Sequence, residues 1–554
     1  MTTPPAPMNY SPKRLIVCCD GTWMNSESGY VKPTLWKRKG SLQIPSNVTR
    51  ISRCFRRKCS DGRVQVIEYE SGVGTGSNTL DALTGGAFGL GLGSTVLTPQ
   101  QRVRNIYSFL CANYCDGDEI ILVGFSRGAY IVRSVAGMIA DLGLLTREGV
   151  EHFWPIFKDM ENWNNHSYRD EFPTVPFDNK PKGEGAADVY RSRLEKVGWI
   201  ADQDAQRNLG MTRVRQEEGN GEIIKVKAVA VWDTVGSLGI PQIAWLNKLG
   251  VYASNQEFRF WDTSLSDRIE HAFQALALDE TRYSFQPAVW ERLEANRLST
   301  DLRQVWFPGN HTNCGGGWND QGMANITLAW MMDQLASIGV EFNYRVLERC
   351  VQQSNSFYQS QTKQKSALQW AMEPIYGQNH PLRPWGLGAI QKTSSLLYSL
   401  AGSIVRLPGL YRQVNAETEA RSGHFLKDTN ERIHSSVRIR LACKGLGLND
   451  AGVWDNPAMK KHWKLVRTKA RYDDPVPSHP AWEPEEDKQE CIKHPSECED
   501  GRWVWEYCGP EKEAPTSPSA RVMVEEPLGP FERHLLKLTG GTPSVYQHAH
   551  ESSR

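Results

Sequence analysis

No run of about 20 consecutive apolar residues occurs in the 554-residue chain, so no segment is expected to span a bilayer. The most apolar stretch, between Lys392 and Arg406, is too short to do so. Net charge is also nearly absent. The 64 Lys and Arg against 63 Asp and Glu leave +1, which provides no global field to capture nucleic acid or an anionic surface. Nucleic acid is therefore not an expected partner, and any peripheral membrane contact would have to be local and largely apolar. The first residues, Met1-Thr2-Thr3-Pro4-Pro5-Ala6-Pro7, carry neither the basic start nor the apolar stretch of a signal peptide, and a cytoplasmic setting is the expectation. Twelve cysteines in a chain this long do not make a disulfide framework. Their one cluster, Cys491, Cys498 and Cys508 with His494, fits no familiar zinc spacing, and no metal site is expected.

What is present describes a globular protein, 40% hydrophobic and 23% charged. Its organisation is read as a flexible arm over 1–12, a catalytic domain over 13–345 with a cap-like helical insertion at 145–215, a helical insertion and domain end at 346–472, and a Pro- and Glu-rich segment of loops over 473–554. Short apolar runs suggest strands at 15–19, 64–69, 120–123, 225–232 and 302–307. Helical spacing suggests helices at 99–114, 127–142, 264–279 and 323–337. Strands alternating with helices predict an α/β fold with a mostly parallel sheet covered on both faces. Leu387, Ile390, Leu397, Leu400, Ile404 and Leu407 fall at roughly helical intervals, as in an amphipathic helix packed on the sheet or serving as a lid.

The chemistry begins at Gly124-Phe125-Ser126-Arg127-Gly128. A serine hydroxyl is a poor nucleophile unless a base takes its proton and the site stabilises the oxyanion. In α/β-hydrolases the serine sits on a sharp turn between a strand and a helix, and small residues two before and two after permit that turn. Here 120–123 supplies the strand, Gly124 and Gly128 flank Ser126, and a helical pattern follows. The pentapeptide alone is weak; its context gives it weight.

That arrangement calls next for an acid and then a histidine, on loops after later strands. Asp233 follows the strand pattern ending in Trp232. His311 follows Val305-Trp306-Phe307-Pro308-Gly309-Asn310 and precedes Gly315-Gly316-Gly317. Among 13 histidines it alone combines strand-end placement with glycine-rich flanks. Asp279 is the rival acid, but its surroundings read as helical and suit a salt bridge. The oxyanion hole would use the N–H of Arg127 and a second N–H from Gly21 or Thr22. Asp20-Gly21-Thr22 also suggests an aspartyl phosphatase, but that chemistry wants an aspartate where Cys18 stands. Gly72, Gly74 and Gly76 are not followed by a clean helix start, which argues against dinucleotide binding.

Together these residues resemble a known family, the α/β-hydrolase domain of type VI secretion phospholipase effectors and their bacterial and fungal relatives. The resemblance covers roughly 13–345. It rests on Leu15-Ile16-Val17-Cys18-Cys19-Asp20-Gly21-Thr22-Trp23, on Gly124-Phe125-Ser126-Arg127-Gly128-Ala129-Tyr130, on Val231-Trp232-Asp233-Thr234-Val235, and on the blocks at 275–282 and 307–317. It implies hydrolysis of phospholipid acyl esters by a Ser126, Asp233 and His311 triad, with no cofactor. Asn313-Cys314 departs from the family pattern of an aspartate and a small apolar residue, which puts the loop around His311 in question. A non-lipid esterase, thioesterase or acyltransferase with the same triad, and a non-catalytic binding protein on this fold, are the alternatives. Sequons begin at Asn47, Asn165, Asn310 and Asn325; the third overlaps the proposed base, a further reason to expect a cytosolic protein.

Overall fold

The structure is a computed structural model. It describes residues 11–21, 30–31, 41–72, 98–165, 167–197, 212–213, 223–235, 264–360, 383–391, 402–414, 421–468, 502–515, 519–539, 545–546 and 548–549. Thr22, Gly74, Gly76, Cys491, His494, Cys498 and most of the proposed N-terminal arm lie outside these residues.

Ten strands form one sheet: β1 (Arg14–Cys19), β2 (Gln65–Glu70), β3 (Glu119–Phe125), β4 (Val226–Trp232), β5 (Ile269–Ala277), β6 (Asp301–Phe307), β7 (Glu431–His434), β8 (Trp463–Thr468), β9 (Arg502–Tyr507) and β10 (Val522–Glu526). Across the sheet they run β8-β9-β10-β7-β6-β5-β4-β3-β1-β2. Every pair from β2 to β10 is parallel, and β9 alone runs antiparallel to its neighbours. This is the expected mostly parallel α/β architecture.

A parallel sheet buries both faces, so its strands are apolar at odd and even positions alike. In β1, Leu15, Val17 and Cys19 join one core cluster with residues of α2 (Pro99–Asn113) and α3 (Arg127–Leu142). Ile16 and Cys18 join the opposite cluster, with α1 (Asn47–Ser52), α5 (Gly322–Ala336) and α6 (Pro530–Leu538). A short α4 (His311–Gly315) follows β6 directly. β1 has β2 on one side and β3 on the other, so chain connections leave it in both directions. The crevice outside the carboxyl ends of such strands is where α/β sheets bind ligands, and both Gly21 and Ser126 lie there.

Three expectations are corrected. The helix read at 264–279 is instead a short strand, Ser264–Leu265, and the central strand β5. The alanines, leucine and glutamine of β5 are good helix formers, but Phe273 falls in one core cluster and Ala272 in the other, and burial on both faces overrides propensity. Gln274 tolerates this site because its amide donates to Gln304 Oε1 and the Ala288 carbonyl. No helix runs through 383–391 or 402–414, the described ends of the stretch read as amphipathic, whereas Leu397 and Leu400 lie outside the described residues. There Ile390 bridges Leu448, and the Ile404 N–H donates to the Thr281 carbonyl. The C-terminal region is not all loops: β9, β10 and α6 belong to the sheet and its cover. Trp503, Val504 and Trp505 form a short buried run there that the Pro- and Glu-rich composition around it obscured.

Among the described residues no helix is long and apolar enough to cross a membrane. Trp232, Trp306 and Trp330 are fully buried, with indole N–H groups donating to Thr327 O, Glu431 and Glu526.

The crossing of β1, β3 and α3 is tight enough to test. A Cβ on Gly128 would sit 2.2 Å from the Cys19 carbonyl oxygen and 2.5 Å from that of Asp20, whereas one on Gly137 would meet nothing within 4 Å. Gly128→Ala should lower stability by about 1–3 kcal/mol in urea unfolding. Gly137→Ala, in the same helix, should leave it unchanged or raise it by about 0.5–1 kcal/mol.

Candidate active site

β3 delivers Ser126 to the start of α3. The Ser126 N–H donates to the Trp232 carbonyl, which ties the turn to the neighbouring strand. The backbone then reverses with φ 57° and ψ −121° at Ser126, a conformation disfavoured for any residue with a Cβ. Surrounding contacts have to hold it there, and they do. A Cβ on Gly124 would lie 2.6 Å from the Ala129 Cα, so strand and helix meet with no room between them. Such strain is expected of a nucleophile elbow.

His311 opens α4. Asn310 caps that helix, its side chain accepting from the Thr312 and Asn313 N–H groups, while the Asn313 side-chain Oδ1 accepts from the Asn310 N–H. The departure at Asn313 thus forms a reciprocal cap. It also reaches outward: the amides of Asn313 and Asn310 donate to the Ala389 and Gln391 carbonyls. The imidazole packs between two rings, Phe125 at 4.7 Å and Phe285 edge-on at 4.9 Å.

The structure brings Ser126, Asp233 and His311 together from three strand ends. His311 Nε2 lies 2.8 Å from Ser126 Oγ, and His311 Nδ1 lies 2.5 Å from Asp233 Oδ2. All three side chains are nearly inaccessible, with Ser126 6% and His311 5% exposed. Burial lowers the pKa of His311, and its hydrogen bond to Asp233 offsets this only in part, so the imidazole favours its free base. For Asp233, burial alone would raise the pKa; the Arg406 charge and the His311 hydrogen bond outweigh it and hold the carboxyl below the usual range.

Arg406 is the residue that reading the sequence missed. Its guanidinium is 2% exposed and grips both Asp233 oxygens, Nη1 on Oδ1 and Nη2 on Oδ2 at 3.0 Å. It also donates to the carbonyls of Ala277 at 2.8 Å and Phe285 at 2.6 Å. The Ala277 N–H adds a bond to Asp233 Oδ1 at 3.1 Å. The one available signal was a lone charge in an apolar stretch, Ile404-Val405-Arg406-Leu407.

Asp279 does not approach His311. Its carboxylate accepts from the Gly309 N–H and from the side chains of Trp454 and Asn456, which fixes the loop before His311. The anticipated salt bridge falls to the next residue, Glu280, which pairs with Arg282 and accepts weakly from the His311 N–H at 3.3 Å.

One oxyanion candidate is corrected. The Gly21 N–H points to Asp20 Oδ1 at 2.7 Å and is already engaged. Asp20 itself is buried and receives hydroxyls from Ser46, Thr49 and Tyr69, an all-neutral shell; burial raises its pKa against those bonds. This network anchors the loop after β1 beside the elbow. Arg127 begins α3, so its N–H faces the elbow end of the helix.

Residues 13–334, more than half of the chain, match the family described as "T6SS, Phospholipase effector Tle1-like, catalytic domain". The chain belongs to this family. It is similar to an uncharacterized protein of Saccharomyces cerevisiae, at 23% identity over 61% of this chain, and it spans 59% of that relative's length. Among solved structures it is similar to an uncharacterized protein from Pseudomonas aeruginosa (15% identity, 60% of this chain and 46% of that one, TM-score 0.29). It is also similar to the Tle1 effector bound to the VgrG spike (16% identity, 56% and 51%, TM-score 0.28). Arg406 lies beyond the family match.

The Asp233–Arg406 pair sets up a stability test. Asp233→Ala leaves a buried guanidinium without its anion and should cost about 3–5 kcal/mol in denaturant unfolding. Adding Arg406→Met should recover a large part of that loss, a coupling that a double-mutant cycle reads directly.

Proposed function

We propose that the chain is a serine carboxylic ester hydrolase of phospholipase A type, acting through Ser126, His311 and Asp233. The observation that carries this reading is the continuous hydrogen-bond line from Ser126 Oγ through His311 to Asp233 at 2.8 and 2.5 Å. In the reaction, His311 Nε2 takes the Ser126 proton as Oγ adds to the acyl carbonyl carbon. The resulting oxyanion is held by the Arg127 N–H and a second donor from the loop after β1, for which Thr22 remains the candidate. The tetrahedral intermediate collapses, the ester C–O bond breaks, and the proton on His311 passes to the leaving alkoxide. Water then gives a proton to His311 as its oxygen adds to the acyl carbon; the acyl–Oγ bond breaks and the proton on His311 passes to Ser126 Oγ as the carboxylic acid leaves. Asp233 orients the imidazole and stabilises its cation without taking the proton.

The phospholipid substrate is carried over from the family description. Exposed apolar side chains beside the site support it: Tyr283 and Val405 stand next to Arg282 and Arg406 on two segments paired to each other. The reading includes a cytosolic location. Asn47, Asn165, Asn310 and Asn325 are all buried, so a glycan on any of them is incompatible with this fold.

A fluorophosphonate probe should label the folded protein on the peptide containing Ser126, and Ser126→Ala should abolish both labelling and release of fatty acid from phosphatidylcholine vesicles. Lysophospholipid and fatty acid products identify a phospholipase A. Labelling with turnover of short water-soluble esters alone would replace the lipid assignment by a general esterase, and absence of labelling would refute the serine mechanism. Because burial depresses the His311 pKa, kcat/KM should hold as pH falls to about 6.5 and decline only below it.

A further inference from the structure

Asp233 is held by more than its triad partner. A guanidinium is a planar fork that matches a carboxylate, and a two-pronged grip fixes both the position and the rotation of the anion. Arg406 grips Asp233 in this way while bonding the carbonyls of Ala277 and Phe285. Three pieces of the site meet on it: the loop after β4 that carries Asp233, the end of β5, and the turn that presses Phe285 edge-on against the imidazole. Its own segment is anchored at both ends. Arg282 bridges Ser403 and the Ile404 N–H donates to the Thr281 carbonyl on one side, and the Gly409 N–H donates to Glu431 on the other.

We infer that Arg406 is a positioning residue for the Asp233–His311 pair, and that the segment 402–414, beyond the residues that match the family, is a required part of the site. This rests on the serine-hydrolase reading for its catalytic consequence, though its electrostatic core does not. A fixed cation behind Asp233 draws on the carboxylate's charge and opposes a second cation on His311. It therefore keeps the imidazole unprotonated at rest and extends the working range to lower pH. The other charged and titratable groups around His311 are Glu280, whose carboxylate accepts from its N–H, Arg282, which is paired to Glu280, and the buried thiol of Cys314 one turn on. Burial and Arg282 act against a cation on His311 while Asp233 and Glu280 act for it, and Arg406 reaches His311 through the Asp233 carboxylate it grips.

The test uses the full chain with 13C-labelled histidine. The titration of His311, assigned by its loss in His311→Gln, is followed by NMR in wild type, Arg406→Met and Arg406→Lys. The pH dependence of fluorophosphonate labelling is measured alongside. Arg406→Met should raise the His311 midpoint and the acid limb of labelling together by about one pH unit or more. It should also slow labelling at its optimum about 10-fold or more, because Asp233 loses its fixed orientation. Arg406→Lys keeps the charge without the fork, so it should hold the midpoint near wild type while still slowing labelling.

Should Arg406→Met fail to fold, the lysine variant still decides. A midpoint held near wild type with slowed labelling supports the inference, and wild-type labelling overturns the positioning role. A folded Arg406→Met variant with an unmoved His311 midpoint and wild-type labelling overturns the inference altogether. If wild type is not labelled but the His311 midpoint still moves with Arg406, the hydrolase reading fails while the electrostatic role of Arg406 stands. The two failures are thereby separated.

Discussion

The site is organised around one buried negative charge. Removing the Asp233 carboxylate from water is costly unless its oxygens are matched by donors. Four groups converge to match them: the imidazole of His311, both prongs of Arg406 and the Ala277 amide. These donors come from three different stretches of chain, so satisfying this anion also fixes where those stretches must lie. The imidazole is thereby aimed at Ser126, and the strained turn at Ser126 holds the hydroxyl where the imidazole can reach it.

A second anion plays a parallel part on the other side of the elbow. Asp20 is buried with hydroxyl and amide partners only, drawn from the end of β1, from α1 and from β2. The two aspartates bracket the turn at Ser126, one orienting the His311 imidazole and one anchoring the loop after β1. They differ in what balances them. Asp233 faces a guanidinium, whereas Asp20 is held by neutral dipoles.

Much of this was legible in the chain. Ser126, Asp233 and His311 each end a short apolar strand, and strand ends are where an α/β sheet exposes side chains to its crevice. β1, β3, β4 and β6, together with α2, α3 and α5, were readable because their periodicities are unmixed. β5 was not, since Ala272 to Ala277 reads as helix until burial on both faces is known. Arg406 was invisible for a different reason. Its partner is 173 positions away, and one arginine within an apolar stretch looks like the end of that stretch. Asp279 was misjudged along with β5, because a carboxylate in a supposed helix looks like half of a surface ion pair, not the anchor of a loop. In the C-terminal region, composition masked strands only five or six residues long.

The strand order carries a consequence for how the protein is made. β10 comes from residues 522–526 yet sits inside the sheet, hydrogen-bonded to β7 on one side and β9 on the other. During synthesis, the parallel sheet from β2 to β7 is fully translated long before the strand that covers β7 emerges from the ribosome. Until then β7 presents an open edge of unpaired amides and carbonyls, the feature that invites pairing with other chains. Completion of the sheet thus waits for residues 522–526, and a chain interrupted before them carries that adhesive edge permanently.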